Sequence, residues 1–414
     1  MTEAIHSHQF SNGLVLVAET MPWVDSAAFT LLVPAGCIHE PAKRGGLSGF
    51  TCEMVLRGAG PRDSRQFVDD LDNLGVEWSE AVSTARTSFS GATLADNLPG
   101  ALEIFADLVR RPHLPADQLE AARLVMQQEL RAVEDEPAQK VMIEAQRHYY
   151  PDPWGRPSQG EEEAIRAIDI GEIRRHFERH YHPNGAILGI AGRFDWPALK
   201  DTVERLLGDW APGREVSIVE GRRGKTIAHI EQETKQTHIG IAYDTVPYCD
   251  PDYFQAWGAV GVLGSGMSSR LFTEVRERRG LCYHVDASYH SLLDRAGVFC
   301  YAGTSAERAQ ETLDVMTRVL AELGRGIEVG ELDRLKARIK SGLIMQQESS
   351  TARSSMIAVD WYHLNRVRTL DEVSQIVDGL TPESINSYLA KCPPGDFTIV
   401  TLGPSPLEVT VGLS

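Results

Sequence analysis

Apolar positions along the chain fall into alternating and helical periods that leave few gaps. Asn12-Gly13 separates Phe10 from the run Leu14-Val15-Leu16-Val17. An Asn-Gly pair between apolar runs predicts a hairpin. Ala27 to Val33, closed by Pro34, predicts a buried strand. A helix is expected from about Gly46 to Arg57. Asp63-Ser64 caps a second helix, with Phe67, Leu71 and Leu74 at helical spacing. Strands follow at Glu77–Ser83 and Thr87–Leu94, then long helices at Leu98–Val109 and Pro115–Glu134. A further helix is predicted from Ile170 to Tyr181, a buried strand at Ala186–Gly192 and a helix at Pro197–Leu207.

Trp210-Ala211-Pro212-Gly213-Arg214 and the charged run to Lys225 then break the pattern. Pro/Gly punctuation beside a polar stretch predicts a domain boundary. Beyond it the same order resumes: a strand at His238–Tyr243, a helix at Phe254–Leu263, a Gly/Ser loop and a helix at Arg270–Arg278. Strands at His284–Tyr289 and Val298–Thr304 and helices at Ala306–Leu323 and Val329–Glu348 complete the run. Leu124-Val125-Met126-Gln127-Gln128-Glu129 is echoed by Leu343-Ile344-Met345-Gln346-Gln347-Glu348 late in the counterpart helix. The echo and the repeated order predict a duplicated α+β unit, each copy an antiparallel-rich sheet covered by helices. The expected domains are 1–213 and 225–414, joined by a linker at 214–224.

Composition narrows the class. A chain of 414 residues, 42% of them hydrophobic, suits two cores rather than one. The formal charge of −17 argues against nucleic acid or anionic membranes as partners and favours cationic ones. No apolar run is long enough to span a membrane. Met1–Glu19 lacks the basic start and apolar centre of a signal peptide. Cys37, Cys52, Cys249, Cys282, Cys300 and Cys392 are scattered, with no C-x-x-C pair. Free thiols in a reducing cytoplasm are therefore expected, or a periplasmic location where a leader has been removed.

The string Ser268-Ser269-Arg270-Leu271-Phe272-Thr273-Glu274-Val275-Arg276-Glu277-Arg278-Arg279-Gly280-Leu281-Cys282-Tyr283 resembles the C-terminal signature of the insulinase/pitrilysin peptidases. That family includes the mitochondrial processing peptidases, and its zinc motif is H-x-x-E-H. Arg276 and Tyr283 match the family's Arg and Tyr that hold the substrate backbone. Guanidinium and phenol both donate to a carbonyl oxygen and to the oxyanion formed from it. The preceding Gly261–Met267 stretch, with Gly264, Ser265 and Gly266, resembles the family's glycine-rich loop that touches substrate. Bare glycines there allow close backbone approach. Pro153-Trp154-Gly155-Arg156-Pro157 and Gly192-Arg193-Phe194-Asp195 extend the resemblance over essentially the whole chain.

In the first half the pattern breaks. Gly45-Gly46-Leu47-Ser48-Gly49-Phe50-Thr51-Cys52-Glu53-Met54-Val55 aligns with the zinc helix, but Gly49, Cys52 and Glu53 stand where His, Glu and His belong. Glu129 falls near the family's downstream zinc ligand. Zinc needs three protein ligands and an open water position, so no metal and no catalytic residues are expected in this chain. His176-Phe177-Glu178-Arg179-His180 places two His on one helix face. Glu178 lies about 200° round the helix from His176, so neither zinc motif is met, and a solvated face is expected. The resemblance implies a clam-shaped half built from two homologous domains. It further implies a non-catalytic subunit that presents peptide to a homologous H-x-x-E-H partner carrying the zinc. The alternatives are a structural relic of the family or a peptide-binding homodimer.

Overall fold

A computed structural model describes residues 4–214 and 216–409. In chain order the elements are β1 (Ala4–Gln9), β2 (Val15–Thr20), β3 (Ser26–Val33), α1 (Leu47–Val55), β4 (Gly58–Ala59), β5 (Arg62–Asp63), α2 (Ser64–Asn73), β6 (Glu77–Val82) and β7 (Thr87–Leu94). There follow α3 (Leu98–Arg110), α4 (Leu119–Glu134), α5 (Pro137–Tyr149), α6 (Glu162–Ala167), α7 (Ile170–His180), β8 (Ile187–Gly192) and α8 (Trp196–Leu207). The second half holds β9 (Ile227–Glu231), β10 (Gln236–Thr245), α9 (Tyr253–Gly264), β11 (Cys282–Ser291), β12 (Ala296–Ser305), α10 (Ala309–Leu323) and α11 (Val329–Gln346). It closes with α12 (Ser350–Leu364), α13 (Leu370–Gly379), α14 (Pro382–Lys391) and β13 (Thr398–Gly403). None of these helices is long and apolar enough to cross a membrane.

The local signals act as expected. Gly13 takes φ 91° in the first turn, a conformation that costs glycine little. The Asp63 carboxylate accepts from the Arg65 and Gln66 amides, and the Gln66 side chain returns to Asp63 N. This capping box fixes the start of α2.

The first sheet runs β1-β2-β8-β3-β7-β6 and the second β11-β12-β10-β13-β9. Read from the β6 and β11 edges, the two orders match strand for strand, with β1 the one addition. Each sheet is antiparallel except for one parallel pair, β2–β8 in the first and β13–β9 in the second. The duplicated α+β architecture is thus present.

The compact units do not follow the two contiguous halves of the sequence. Unit 1 comprises 1–131, 156–220 and 344–370, and unit 2 comprises 132–155, 221–343 and 371–414. α5 leaves the first half to pack on β10, β13 and β12, and α12 leaves the second half to pack on β8, β3 and β2. The expected linker is partly built in. Gly221 and Gly224 donate to the Asp152 and His148 carbonyls, and Asp152 N to Arg222 O, all within unit 2.

α12 lies flat on its sheet because the floor beneath it is bare. A Cβ at Gly189 would stand 2.4 Å from the Ser354 carbonyl oxygen. Ser350 and Ser354 hydrogen-bond Ser26 and Thr30 of β3 at 3.0 and 3.2 Å. Arg353, fully buried, donates to the Glu19 carboxylate at 2.9 Å. Removing one partner of such a pair strands a buried charge. Arg353→Ala is therefore expected to lower the unfolding free energy by about 3–5 kcal/mol, and a Glu19→Met/Arg353→Met double variant to regain most of it. Urea unfolding measures both. A single variant as stable as the wild type would contradict the assignment.

Candidate functional site

Two places in the fold carry the residues singled out in the sequence, one in each unit. In unit 1 the helix α1 holds Gly49, Cys52 and Glu53. Its N-terminus is set by Gly46 at φ 92° and by the buried Glu40 carboxylate, which accepts from the Gly46 and Ser48 amides at 3.1 and 2.8 Å. Burial pushes the Glu40 carboxyl up to about 7, against the pull of those amides. Leu47, Phe50, Cys52, Met54 and Val55 are buried, so the helix serves as core.

The positions that align with the zinc motif are closely packed. A Cβ at Gly49 would stand 3.0 Å from the Met126 methyl and 3.1 Å from the Ser158 carbonyl. Cys52 is buried, and burial holds its thiol well above its ordinary range, with the charges of Glu80, Glu53 and Glu129 adding to the shift. Glu53 is tied to Arg57 at 2.5 Å. Glu129 on α4 is raised first by burial and then by Glu53 and Glu80. Glu80, on the edge strand β6, is raised by burial and by Glu53. The structure thus brings Cys52, Glu53 and Glu129 together and adds Glu80, which the motif did not indicate.

This donor set does not fit zinc. It has no imidazole, its thiol is held protonated, and one carboxylate is neutralised by an arginine. Among the described residues no group of three His, Cys, Asp or Glu side chains is arranged to hold a metal.

His176 and His180 are not on a solvated face: each is only 4% exposed. The His180 ring stacks on His39 at 4.6 Å and lies 4.6 Å from His176, and His176 Nε2 meets Ser48 Oγ at 3.3 Å. Burial, then neighbouring imidazoles and Arg179, lowers His176 to about 3 and His180 to about 2; burial, then His182, lowers His39 to about 4.

In unit 2 the glycine-rich stretch is mainly helix. Gly258, Gly261 and Gly264 lie in α9 and receive Ile385, Leu335 and Ala287 against their bare faces. A Cβ at Gly264 would stand 2.2 Å from the Ala287 amide nitrogen, so this glycine packs rather than presents itself. Only Ser265–Ser269 is loop. Arg338 donates to the Ser265 carbonyl, Gly266 adopts φ 90°, and Met267 is exposed.

The expected helix at Arg270–Arg278 is a π-helical turn over Phe272–Glu277. Arg278 N reaches Thr273 O at 2.9 Å, and Gly280 at φ 57° turns the chain into β11. Such widened turns are frequent at functional sites because they re-aim side chains. Arg278 and Arg279 both pair with Glu274. Arg276 is exposed, lies over the Phe272 ring at 4.9 Å, and has no carboxylate partner among the described residues. Tyr283 is 81% exposed at a bulge where the β11–β12 register shifts between Cys282 and His284.

These features agree with similarity found elsewhere. Residues 15–150 match the family described as Insulinase (Peptidase family M16), and residues 167–339 match the Peptidase M16 inactive domain. The chain belongs to the insulinase family, peptidase family M16. It is 24% identical over 99% of its length to an uncharacterized zinc protease of Rickettsia felis, covering all of that protein. It is 26% identical to the uncharacterized zinc protease YmxG of Bacillus subtilis, covering 97% of this chain and 98% of that one. The fold is shared with a peptidase M16 inactive domain from Pseudomonas fluorescens (TM-score 0.89, 22% identity) and a protease from Helicobacter pylori (TM-score 0.88, 19% identity). Each alignment covers 98% of this chain and all of the other.

Two outcomes follow for unit 1. Restoring the motif as Gly49→His/Cys52→Glu/Glu53→His is expected to leave bound zinc well below one per chain, and adding Met126→Ala to raise it. Metal analysis after gel filtration reads both, and full zinc in the triple variant would show that Met126 does not obstruct. Separately, imidazoles whose folded-state values lie below the unfolded value of about 6.5 resist protonation, so their burial costs stability as pH falls below that value. Glu40 acts in the opposite sense, since a raised carboxyl loses its contribution as pH rises from about 4.5 through 7. His180→Gln should therefore flatten the loss of stability between pH 6.5 and 4 in urea titrations; an unchanged slope would refute the assignment.

Proposed function

We propose that this chain is the substrate-holding, non-catalytic subunit of a two-chain zinc peptidase. The observation that carries this reading is a contrast between its two places. The zinc positions on α1 are refilled by packing and by the Glu53–Arg57 pair. Arg276 and Tyr283 stand exposed on a re-aimed turn and a bulge, with no carboxylate among the described residues claiming the guanidinium. An exposed arginine and tyrosine contribute little to folding. They are well suited to donating to a peptide carbonyl, and to holding it more strongly as negative charge develops on its oxygen. A homologous partner with an intact H-x-x-E-H motif carries the zinc, and this chain binds none. Ser265 and Gly266, in the loop after α9, are further candidates for contact with the peptide backbone. The acidic surface charge favours peptides over nucleic acid and anionic membranes.

The test is peptide cleavage by this chain mixed with a candidate H-x-x-E-H subunit, beside each chain alone. Activity is expected only in the mixture, with Arg276→Ala or Tyr283→Phe lowering kcat/KM by about tenfold or more while the unfolding midpoint stays put. Chelator-sensitive turnover by this chain alone would overturn the reading. Activity that needs the chain but ignores both substitutions would make it a structural subunit instead.

A further inference from the structure

Arg86 lies in the turn between β6 and β7 of unit 1. Its guanidinium donates to the Gly185 carbonyl at 2.5 Å and stands 4.1 Å from the centre of the Tyr362 ring of α12. Those contacts leave Nε over. Nε is shut from solvent and has no hydrogen-bond partner among the described residues. No carboxylate among them pairs with Arg86 either. Burial pulls this guanidinium below the ordinary arginine range, and only Tyr362 opposes that pull. A buried charge is costly unless it is answered, and an unpaired buried N–H needs an explanation.

The walls around Arg86 carry the same sign. The turn Cys37–His39 hangs from the β6–β7 turn, with the Cys37 and Ile38 amides donating to the Ser83 and Thr84 carbonyls at 3.1 and 2.9 Å. His39 is thereby brought under the Arg86 charge, and its Nδ1 is also buried without a partner among the described residues. The other charged neighbours felt at His39 are His182 and Arg179, both basic. His180 and then His176 stack behind it. From α12, His363 feels the same Arg86 charge. Two carboxylates come near, and both are spoken for. Asp360 pairs with Arg368 at 2.7 Å, and Glu40 accepts from the Gly46 and Ser48 amides. A chain of net charge −17 thus gathers buried donors here and leaves them no free acceptor.

Water would satisfy an N–H but not the charge. An oxyanion answers both, and guanidinium with a tetrahedral oxyanion is among the strongest such pairings. Neutral imidazole can donate from Nδ1 to the same anion. Ser83 and Gly185, both hydrogen-bonded to Arg86, are exposed, so the site lies just beneath the surface. We propose that Arg86 and His39 form a binding site for one small tetrahedral oxyanion of the phosphate class, held by Arg86 Nε and His39 Nδ1. Both nitrogens are enclosed, which leaves no room for an ester chain, so the ligand is the free ion. Bound there, it ties the β6–β7 turn, the Cys37–His39 turn and the end of α12 together. The site is separate from Arg276 and Tyr283 and does not depend on the peptide-holding role.

The experiment is calorimetric titration of the full chain with inorganic phosphate at constant ionic strength, beside urea unfolding in phosphate and in chloride. One phosphate per chain is expected, with Kd of about 1 mM or tighter. Phosphate should raise the unfolding midpoint to a plateau that chloride of equal ionic strength does not reach. Arg86→Met should abolish the heat and the phosphate-dependent gain together. Arg86→Lys, which keeps the charge but lacks the fork, should weaken binding by about tenfold or more, and so should His39→Phe, which keeps a ring against His180 without its nitrogens. These two variants carry the test if Arg86→Met does not fold. Arg65→Gln removes an exposed positive charge elsewhere in unit 1 and should change nothing. Absence of saturable binding would mean that water meets these donors, and the site would be overturned. Binding that survives Arg86→Lys and His39→Phe undiminished would overturn it too, and phenyl phosphate binding tighter than phosphate would overturn the assignment to a free ion.

Discussion

The buried pair between Glu19 and Arg353 is the interaction on which unit 1 depends. Two charges without solvent are costly, and their attraction repays that cost only when the geometry is held. Here it is held by α12 pressed onto Gly189, with Ser350 and Ser354 bonded to Ser26 and Thr30. Unit 2 uses the same device with different chemistry. Tyr149 of α5 lies over bare Gly297 and donates to Asp244 and the Ala296 carbonyl at 2.6 and 2.7 Å. In both units the helix that closes the sheet comes from the opposite half of the sequence. Neither half of the chain can enclose its own sheet, so the duplication is one folding problem rather than two.

That exchange explains what the sequence conveyed and what it hid. Strands and helices that bury a regular apolar face were legible, and so was the repeated order behind β3, β10, α4 and α11. The buried face of α12 reads Ser350, Arg353, Ser354, Ile357, Ala358 and Asp360, which looks like a soluble helix to any hydrophobic pattern. Its polar groups are satisfied only by partners far away in the chain, and such satisfaction is invisible locally. α5 carries Val141, Ala145 and Tyr149 at helical spacing, though no helix was predicted there. Its destination was not legible. Contiguous domains were the natural expectation because nothing in a helix's own residues names the sheet it will cover.

The candidate site divides along the same line. The helices that carry Gly49, Cys52, Glu53 and Glu129 were legible from their apolar spacing. Glu80 was not, since a glutamate on an exposed edge strand has many ordinary reasons to be there. The histidines show the opposite failure. His176 and His180 alternate with Arg174, Arg175, Glu178 and Arg179, so their face reads as solvated. The stacked ring of His39 that covers them arrives from a short turn far away in sequence. Gly264 was legible as a required glycine but not for its reason, which is the backbone of Ala287 and not a ligand.

Gly49, Cys52 and Glu53 are physically compatible with the packed fold around α1. A glycine and a cysteine bury more cheaply than an imidazole and a carboxylate. The charged newcomer, Glu53, sits beside Arg57 one helical turn away. α1 is held by Leu47, Phe50, Cys52, Met54 and Val55 and by the Glu40 cap. Where a site's ligands are buried ions, folding is coupled to the metal that satisfies them. In α1 the packing is supplied by the helix's own side chains. The exposed Arg276 and Tyr283 stand outside this economy. Both are exposed, so packing accounts for the helix α1 but not for these two residues.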